Sequence, residues 1–164
     1  MDNSKKILMI YYSFEGNTHY VAKLVEEETG ADLMRIEAAC EPPRTGLAKY
    51  LVGGRDALFN RKVKIKYPEV NLSEYEQLII ATPVWAGKYT PAVRSFLDEN
   101  LFHGKRVYLI ATSKSGSADK MLLSLEDALK GNNVVDTLSL REPLQNKEIE
   151  DDKIRNFCHR IING

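Results

Sequence analysis

The sequence predicts a single α/β domain: an open, doubly wound parallel five-stranded sheet with helices on both faces. The prediction rests on short apolar runs that alternate along the chain with longer segments of helical periodicity. Apolar runs of this kind form strands buried on both faces, and strands alternating with helices form a parallel sheet. No repeat or low-complexity segment divides the 164 residues, so one domain is expected over 1–164.

The amino-acid composition limits the kinds of molecule that the protein is expected to bind. The chain is 43% hydrophobic, with 23 Lys and Arg against 23 Asp and Glu, so its formal net charge is zero. This balance argues against nucleic acid or a membrane surface as the main partner. Cys40 and Cys158 form no CxxC or His/Cys cluster, so no metal site is expected. The apolar stretch near the N-terminus is too short for a membrane span, and a reduced, cytoplasmic location is expected.

The first half of the chain predicts a strand, a helix and a second strand. The continuous apolar run from Ile7 to Tyr12 is the first strand, and helical spacing from Val21 continues to a stop at Gly30. Leu33 to Ile36 is the second strand, which should run parallel to the first. Residues 38–75 are less regular, with a short helix predicted from Leu47 to Phe59. That excursion either covers a sheet edge or forms a lid over a ligand.

The second half repeats the alternation. Pro91 suits the first turn of a helix, and Ile154, Phe157, Cys158 and Ile161 define one face of the last helix, so Cys158 is expected in the core. In order, the predicted elements are strand Leu78–Ala81, a helix from Pro91, strand Val107–Ala111, helix Ala118–Leu129, strand Val134–Leu140 and the last helix.

Small polar residues follow three of the predicted strands, as Tyr11–Thr18, Thr82–Pro91 and Thr112–Ser117. Parallel strands bring such segments to one edge of a sheet, which predicts a ligand there. The first segment opens a helix, whose N-terminus binds anions through its N–H groups, and no Lys or Arg lies between Lys6 and Lys23. The alternative is an ordinary turn with Asn17 or Thr18 as N-cap.

Trp85, the only tryptophan, falls in the second of these segments. Its indole offers a flat surface on which a ring system can stack. The alternative is that Trp85 packs inward on Phe96 or Val93.

The segment Ser13-Phe14-Glu15-Gly16-Asn17-Thr18 resembles the phosphate loop of flavodoxins, Thr/Ser-x-Thr-Gly-Asn-Thr. Glu15 departs from the pattern, which has a small hydroxyl residue there. Pro83-Val84-Trp85-Ala86-Gly87 and the long excursion resemble a group of flavodoxin-like NAD(P)H-dependent oxidoreductases. The resemblance implies strand order 2-1-3-4-5, with FMN bound non-covalently at the carboxyl ends of strands one and three.

Because FMN itself performs the electron chemistry, no catalytic side chain and no metal ligand is expected. Ala86 and Gly87 would let backbone N–H groups approach the ring. Lys88 and Lys114 either add positive charge near the ring or are solvated surface lysines. The implied cofactor-binding residues are Ser13, Phe14, Glu15, Gly16, Asn17, Thr18, Thr82, Pro83, Val84, Trp85, Ala86, Gly87, Thr112, Ser113, Ser115 and Gly116.

Two redox functions follow from the resemblance, with the oligomeric state left open. One is an oxidoreductase passing electrons or hydride from NAD(P)H to a small-molecule acceptor, favoured by the neutral charge and by the lack of an aromatic residue in 113–117. The other is a one-electron carrier that docks to a redox protein partner. A receiver-type signalling domain is disfavoured, because Tyr11-Tyr12-Ser13 and Ala81-Thr82 stand where it needs acidic residues.

Overall fold

The computed structural model of the protein describes residues 6–41 and 62–164. A 3-10 turn, Leu72–Glu74, precedes the fourth strand. The other elements are β1 (Ile7–Tyr12), α1 (Asn17–Thr29), β2 (Asp32–Ala38), β3 (Ile65–Lys66), β4 (Gln77–Trp85), β5 (Lys88–Tyr89), α2 (Pro91–Glu99), β6 (Arg106–Ser113), α3 (Asp119–Ala128), β7 (Asn133–Arg141) and α4 (Lys147–Asn163).

The described strands form one sheet in the order β3-β2-β1-β4-β6-β7, with β5 paired to β4. The long strands β2, β1, β4, β6 and β7 are parallel. The predicted fold class is therefore confirmed: a mostly parallel central sheet flanked by helices. The short strands β3 and β5 are antiparallel and were not predicted, since two residues leave no periodicity in a sequence.

The sheet separates two apolar layers, and alternate residues of β1 enter opposite ones. Leu8 and Ile10 pack in the layer covered by α2 and α3, whereas Met9 and Tyr11 pack in the layer covered by α1 and α4. Cys158 is buried in the second layer, as predicted, and burial raises the pKa of its thiol to about 12. It is a core residue and is protonated at neutral pH.

Strand β4 runs four residues beyond its predicted end at Ala81, because Thr82-Pro83 resembles the start of a loop. Pro83 is nevertheless paired with Thr112 of β6. On the other side of β4, the pairing with β1 ends at Tyr11 and Ala81, so the missing N–H of Pro83 breaks no hydrogen bond to β1. The extension carries Trp85 to the end of the strand.

The predicted helix from Leu47 to Phe59 lies outside the described residues. Of the excursion 38–75, the described part places β3 beside β2 at the edge of the sheet, and the choice between edge cover and lid stays open. Within 6–41 and 62–164, no helix combines the length and apolar character needed to cross a bilayer.

Candidate functional site

A cavity of about 480 Å³ opens at the carboxyl ends of β1, β4, β6 and β7. Its volume lies in the range of small-molecule and cofactor sites. All three predicted loops contribute to it, together with one residue of the loop after β7. The lining consists of Ser13, Phe14, Glu15, Asn17, Thr18, Pro83, Val84, Trp85, Ala86, Thr112, Ser113, Lys114, Ser115 and Glu142.

The loop after β1 presents backbone donors at the start of α1. Gly16 is the N-cap, with φ of 95°, so the helix begins one residue earlier than capping by Asn17 would give. Ser13 Oγ accepts the His19 N–H at 3.1 Å and closes the turn. The N–H groups of Gly16, Asn17 and Thr18 have no acceptor among the described residues. First-turn N–H groups attract anions, so this loop can hold a phosphate.

The side-chain amide of Asn17 is oriented by the loop after β7. Its Oδ1 accepts the N–H of Leu144 at 3.1 Å, which leaves the two Nδ2 hydrogens as its donors. Leu144 also lies against Gly16, where an added Cβ would come within 3.3 Å of Leu144 Cδ1. Gly16 does not line the cavity itself. Gly16 instead forms the turn that places Glu15 and Asn17 on the cavity wall.

Two buried hydroxyl pairs fix the loops to one another. Thr18 Oγ1 and Thr112 Oγ1 lie 2.9 Å apart and join the first loop to the third. Thr82 Oγ1 lies 3.1 Å from Thr90 Oγ1 and joins β4 to the N-cap of α2, directly after β5. Thr82 is fully buried and does not line the cavity, and its hydroxyl is paired with Thr90 instead. Its place in the fold is therefore structural.

Trp85 is half-buried on the cavity wall. Its ring meets Tyr12 edge to face at a centroid distance of 5.8 Å and Phe14 at 5.6 Å. The buried side of Trp85 also packs against the apolar layer that contains Phe96 and Val93, so inward packing and a place on the cavity wall occur together. These contacts hold the indole at the rim, where part of it remains accessible to a ligand.

The turn after Trp85 is strained. Ala86 and Gly87 both have positive φ, 49° and 74°, and close a two-residue hairpin between Trp85 and Lys88. Two positive φ values define a type I′ turn, which prefers Asn-Gly. Ala86 lines the cavity and Gly87 does not. Because Ala86 ends at Cβ, a ligand can approach the backbone of this turn closely.

The loop after β6 is held by its own serines. Ser113 Oγ accepts the Gly116 N–H at 2.9 Å, and Ser115 Oγ accepts the Ser117 N–H at 3.2 Å. Gly116 lies outside the cavity lining, with φ of 78°, and an added Cβ would lie 3.1 Å from Arg141 Cβ. Gly116 therefore shapes the loop, while Ser113, Lys114 and Ser115 face the cavity.

The charges of the described lining are one cation, Lys114, and two carboxylates, Glu15 and Glu142. Glu15 is exposed, so solvent screens its repulsion of a bound phosphate. Glu142 was not predicted. Its φ of 40° is left-handed, but the residue is Glu and not the Gly or Asn that would indicate such a turn in the sequence. In the described residues, no group of His, Cys, Asp and Glu side chains is arranged to hold a metal ion.

His19 does not line the cavity. Its Nδ1 lies 2.7 Å from the Tyr11 hydroxyl, and the two rings stack at 5.8 Å. Burial raises the pKa of Tyr11, so the phenol keeps its proton, and the His19 tautomer decides which of the two groups donates. His19 is half-buried and fastens the first turn of α1 to β1.

The sequence model of the flavodoxin family matches residues 6–160. The fold and the three loops define a flavodoxin-like protein, and the chain belongs to the flavodoxin family. No curated protein sequence matches it significantly.

Solved structures share the fold at low sequence identity. A flavoprotein from Lactobacillus acidophilus in complex with FMN has a TM-score of 0.72 and 19% identity, covering 89% of this chain and 99% of its own. A candidate flavoprotein from Bacteroides eggerthii has a TM-score of 0.76 and 23% identity, over 98% and 99%. Flavodoxin 2 from Bacillus cereus has a TM-score of 0.61 and 21% identity, over 93% and 94%.

Proposed function

We propose that the cavity binds FMN non-covalently and that the protein uses it to pass electrons or hydride from NAD(P)H to a small-molecule acceptor. One observation carries the proposal: backbone donors, hydroxyls and an indole from three separate loops surround one cavity of cofactor size. FMN in the related Lactobacillus acidophilus flavoprotein supports the identity of the ligand.

The phosphate fits the start of α1. Asn17 and Thr18 line the cavity and their N–H groups are unengaged within the described chain, and the Nδ2 hydrogens of Asn17 add to them. Ser13 Oγ accepts from His19 and retains its own hydrogen as a donor. These donors can bind a dianion without an Arg or Lys in the loop.

The ring fits between the loops that follow β4 and β6. Trp85 offers a stacking surface, and Ala86 leaves the backbone of its turn accessible. The hydroxyls of Thr112, Ser113 and Ser115 suit the polar edge of a flavin. Lys114 would place a positive charge near the ring, which stabilises a negatively charged reduced cofactor.

FMN, when bound, supplies one- and two-electron redox chemistry, and the protein supplies binding, orientation and electrostatics. The geometry of the aromatic side chains favours direct access of a second molecule to the ring. Phe14 and Trp85 are the aromatic residues of the described lining, and their planes are inclined by 88°. Perpendicular rings cannot sandwich a flat cofactor between parallel faces. In the described lining, therefore, no pair of aromatic rings covers both faces of the flavin, which supports access by a nicotinamide.

The rival function is a one-electron carrier between protein partners, and stopped-flow mixing separates the two. Apo-protein is first loaded with FMN, and the yellow complex is mixed anaerobically with NADH and, separately, with NADPH. We expect one of them to bleach the flavin absorbance directly. A complex that neither nucleotide reduces, but that a reductase protein does, would establish the carrier. A protein that stays colourless in excess FMN would refute both.

A further inference from the structure

We infer that Glu142 accepts hydrogen bonds from the hydroxyl groups of the cofactor's ribityl chain and so selects a hydroxylated flavin phosphate. The inference rests on the proposed FMN function and names a specificity residue in the same cavity. Neither the phosphate-loop motif nor the ring-binding loops include this position.

The backbone of Glu142 is the first observation. In residues 6–41 and 62–164, the non-glycine residues with positive φ are Ala86 and Glu142, and both line the cavity. A side chain with a Cβ is disfavoured in this conformation, and Gly or Asn would relieve the strain. Strain of this kind is retained where the surrounding structure imposes it, commonly at ligand sites.

Hydrogen bonds impose the conformation on Glu142. Its N–H donates to Ser113 O at 3.0 Å. Its carbonyl oxygen accepts from the N–H groups of Gln145 at 2.8 Å and Asn146 at 3.1 Å, and from Asn146 Nδ2 at 3.2 Å. The backbone is therefore held from both sides, and the side chain starts from a fixed point on the cavity wall.

The position of Glu142 between the phosphate loop and the loop after β6 indicates which part of the ligand lies beside it. Two residues further on, Leu144 contacts the phosphate loop through Gly16 and Asn17. On its other side Glu142 is bonded to Ser113, in the loop proposed to meet the ring. A ligand with its phosphate at α1 and its ring beside Trp85 presents its ribityl chain between these points.

The chemistry of the side chain agrees with that placement. An ionised carboxylate accepts hydrogen bonds and cannot donate them, so it suits hydroxyl groups. A carboxylate near a phosphate dianion repels it, and the repulsion is offset only where the ligand supplies such donors. A flavin phosphate whose side chain lacks hydroxyl groups would be repelled by the Glu142 carboxylate without any compensating hydrogen bond.

The test compares two ligands with two variants. The ligands are FMN and a flavin phosphate whose side chain is a five-carbon alkyl chain without hydroxyls, and dissociation constants are measured by flavin fluorescence. We expect Glu142→Gln to weaken FMN binding about tenfold, as for the loss of charge-assisted hydrogen bonds. Binding of the deoxy ligand should stay the same or tighten. Glu15→Gln, the matched control, removes the other carboxylate of the lining and should affect both ligands alike.

Equal changes for both ligands in Glu142→Gln, or no change for either, would overturn the inference and leave FMN binding intact. If the unaltered protein binds neither ligand, the proposed function is wrong and this inference falls with it. A second measurement needs no ligand. Glu142→Asn should raise the thermal midpoint of the apo-protein, because Asn tolerates positive φ, while FMN binding weakens. A lowered midpoint would mean that Glu142 is not strained.

Discussion

The phosphate-loop wall of the cavity, Ser13–Thr18, is tied into the fold, whereas the hairpin wall, Trp85–Lys88, projects from the end of β4. Ser13 and Thr18 are buried and bonded to His19 and Thr112. In the hairpin, Ala86 and Gly87 are exposed, and Ala86 has a conformation that costs free energy. The two walls thus differ in both burial and backbone strain.

The difference matches what each wall would hold. A phosphate keeps its charge throughout a redox cycle, so a fixed set of donors suits it. A flavin ring changes its charge and protonation, and a small exposed turn can adjust to those changes at a lower free-energy cost than a buried loop. We therefore expect substitutions in the first wall to change folding and binding together, and those in the second to separate the two.

Trp85→Ala should have the largest effect on the ligand. Loss of the stacking surface should weaken FMN binding by about 1–3 kcal/mol, as measured by flavin fluorescence titration. Trp85→Phe keeps a flat ring and should recover part of the affinity. Equal affinity in all three proteins would mean that the hairpin wall does not support the ring.

Gly16→Ala should destabilise the protein by about 1–2 kcal/mol, because φ of 95° is unfavourable for alanine, and should weaken FMN binding as well. Gly30→Ala is the matched control at the other end of α1, with φ of 70° and no atom within 4 Å of an added Cβ. Urea denaturation should show a loss for both variants, and titration a binding defect for Gly16→Ala alone. A similar binding defect in Gly30→Ala would show that the loss of FMN affinity follows from lower stability and not from the phosphate loop.

Thr18→Val should cost about 1 kcal/mol of unfolding free energy, since it removes the buried hydrogen bond to Thr112 while preserving shape. Thr18→Ser retains the hydroxyl and should lose less. Urea denaturation of the apo-proteins measures the difference. If valine and serine behave alike, the hydroxyl pair does not join the two loops.

Ala86→Asn should have the smallest effect, and of opposite sign. Asparagine is favoured at the first position of a type I′ turn, so the apo-protein should gain about 0.5–1 kcal/mol of stability. Thermal unfolding of the apo-protein detects the gain. A loss of stability would contradict the strained turn that distinguishes the hairpin wall.

Most of the fold could be predicted because buried parallel strands and amphipathic helices leave clear periodicity. Ile7–Tyr12 is a strand over the predicted residues, and Pro91 begins its helix as expected. The end of β4 could not be predicted, because Pro83 in the sequence indicates a loop. The strand accepts Pro83 because β1 ends its pairing with β4 at Ala81, which the local sequence does not show.

Part of the candidate site could be predicted from the residue types that follow the strands. Gly16 indicates a positive φ and Trp85 offers a flat ring, and the structure brings their loops together. Thr82 was assigned to the ligand because it is polar, but its side chain is fully buried and pairs with Thr90. Glu142 carries no sequence signal for positive φ, because its conformation is imposed by Ser113, Gln145 and Asn146.

Trp85 provides the most direct test, because it is the only tryptophan and lies on the cavity wall. Apo-protein is titrated with FMN while tryptophan emission is recorded. FMN bound in the cavity should quench that emission saturably, with a break at one flavin per chain. Tryptophan emission that stays unchanged while the flavin binds would place FMN elsewhere, and absence of binding would remove the cofactor altogether.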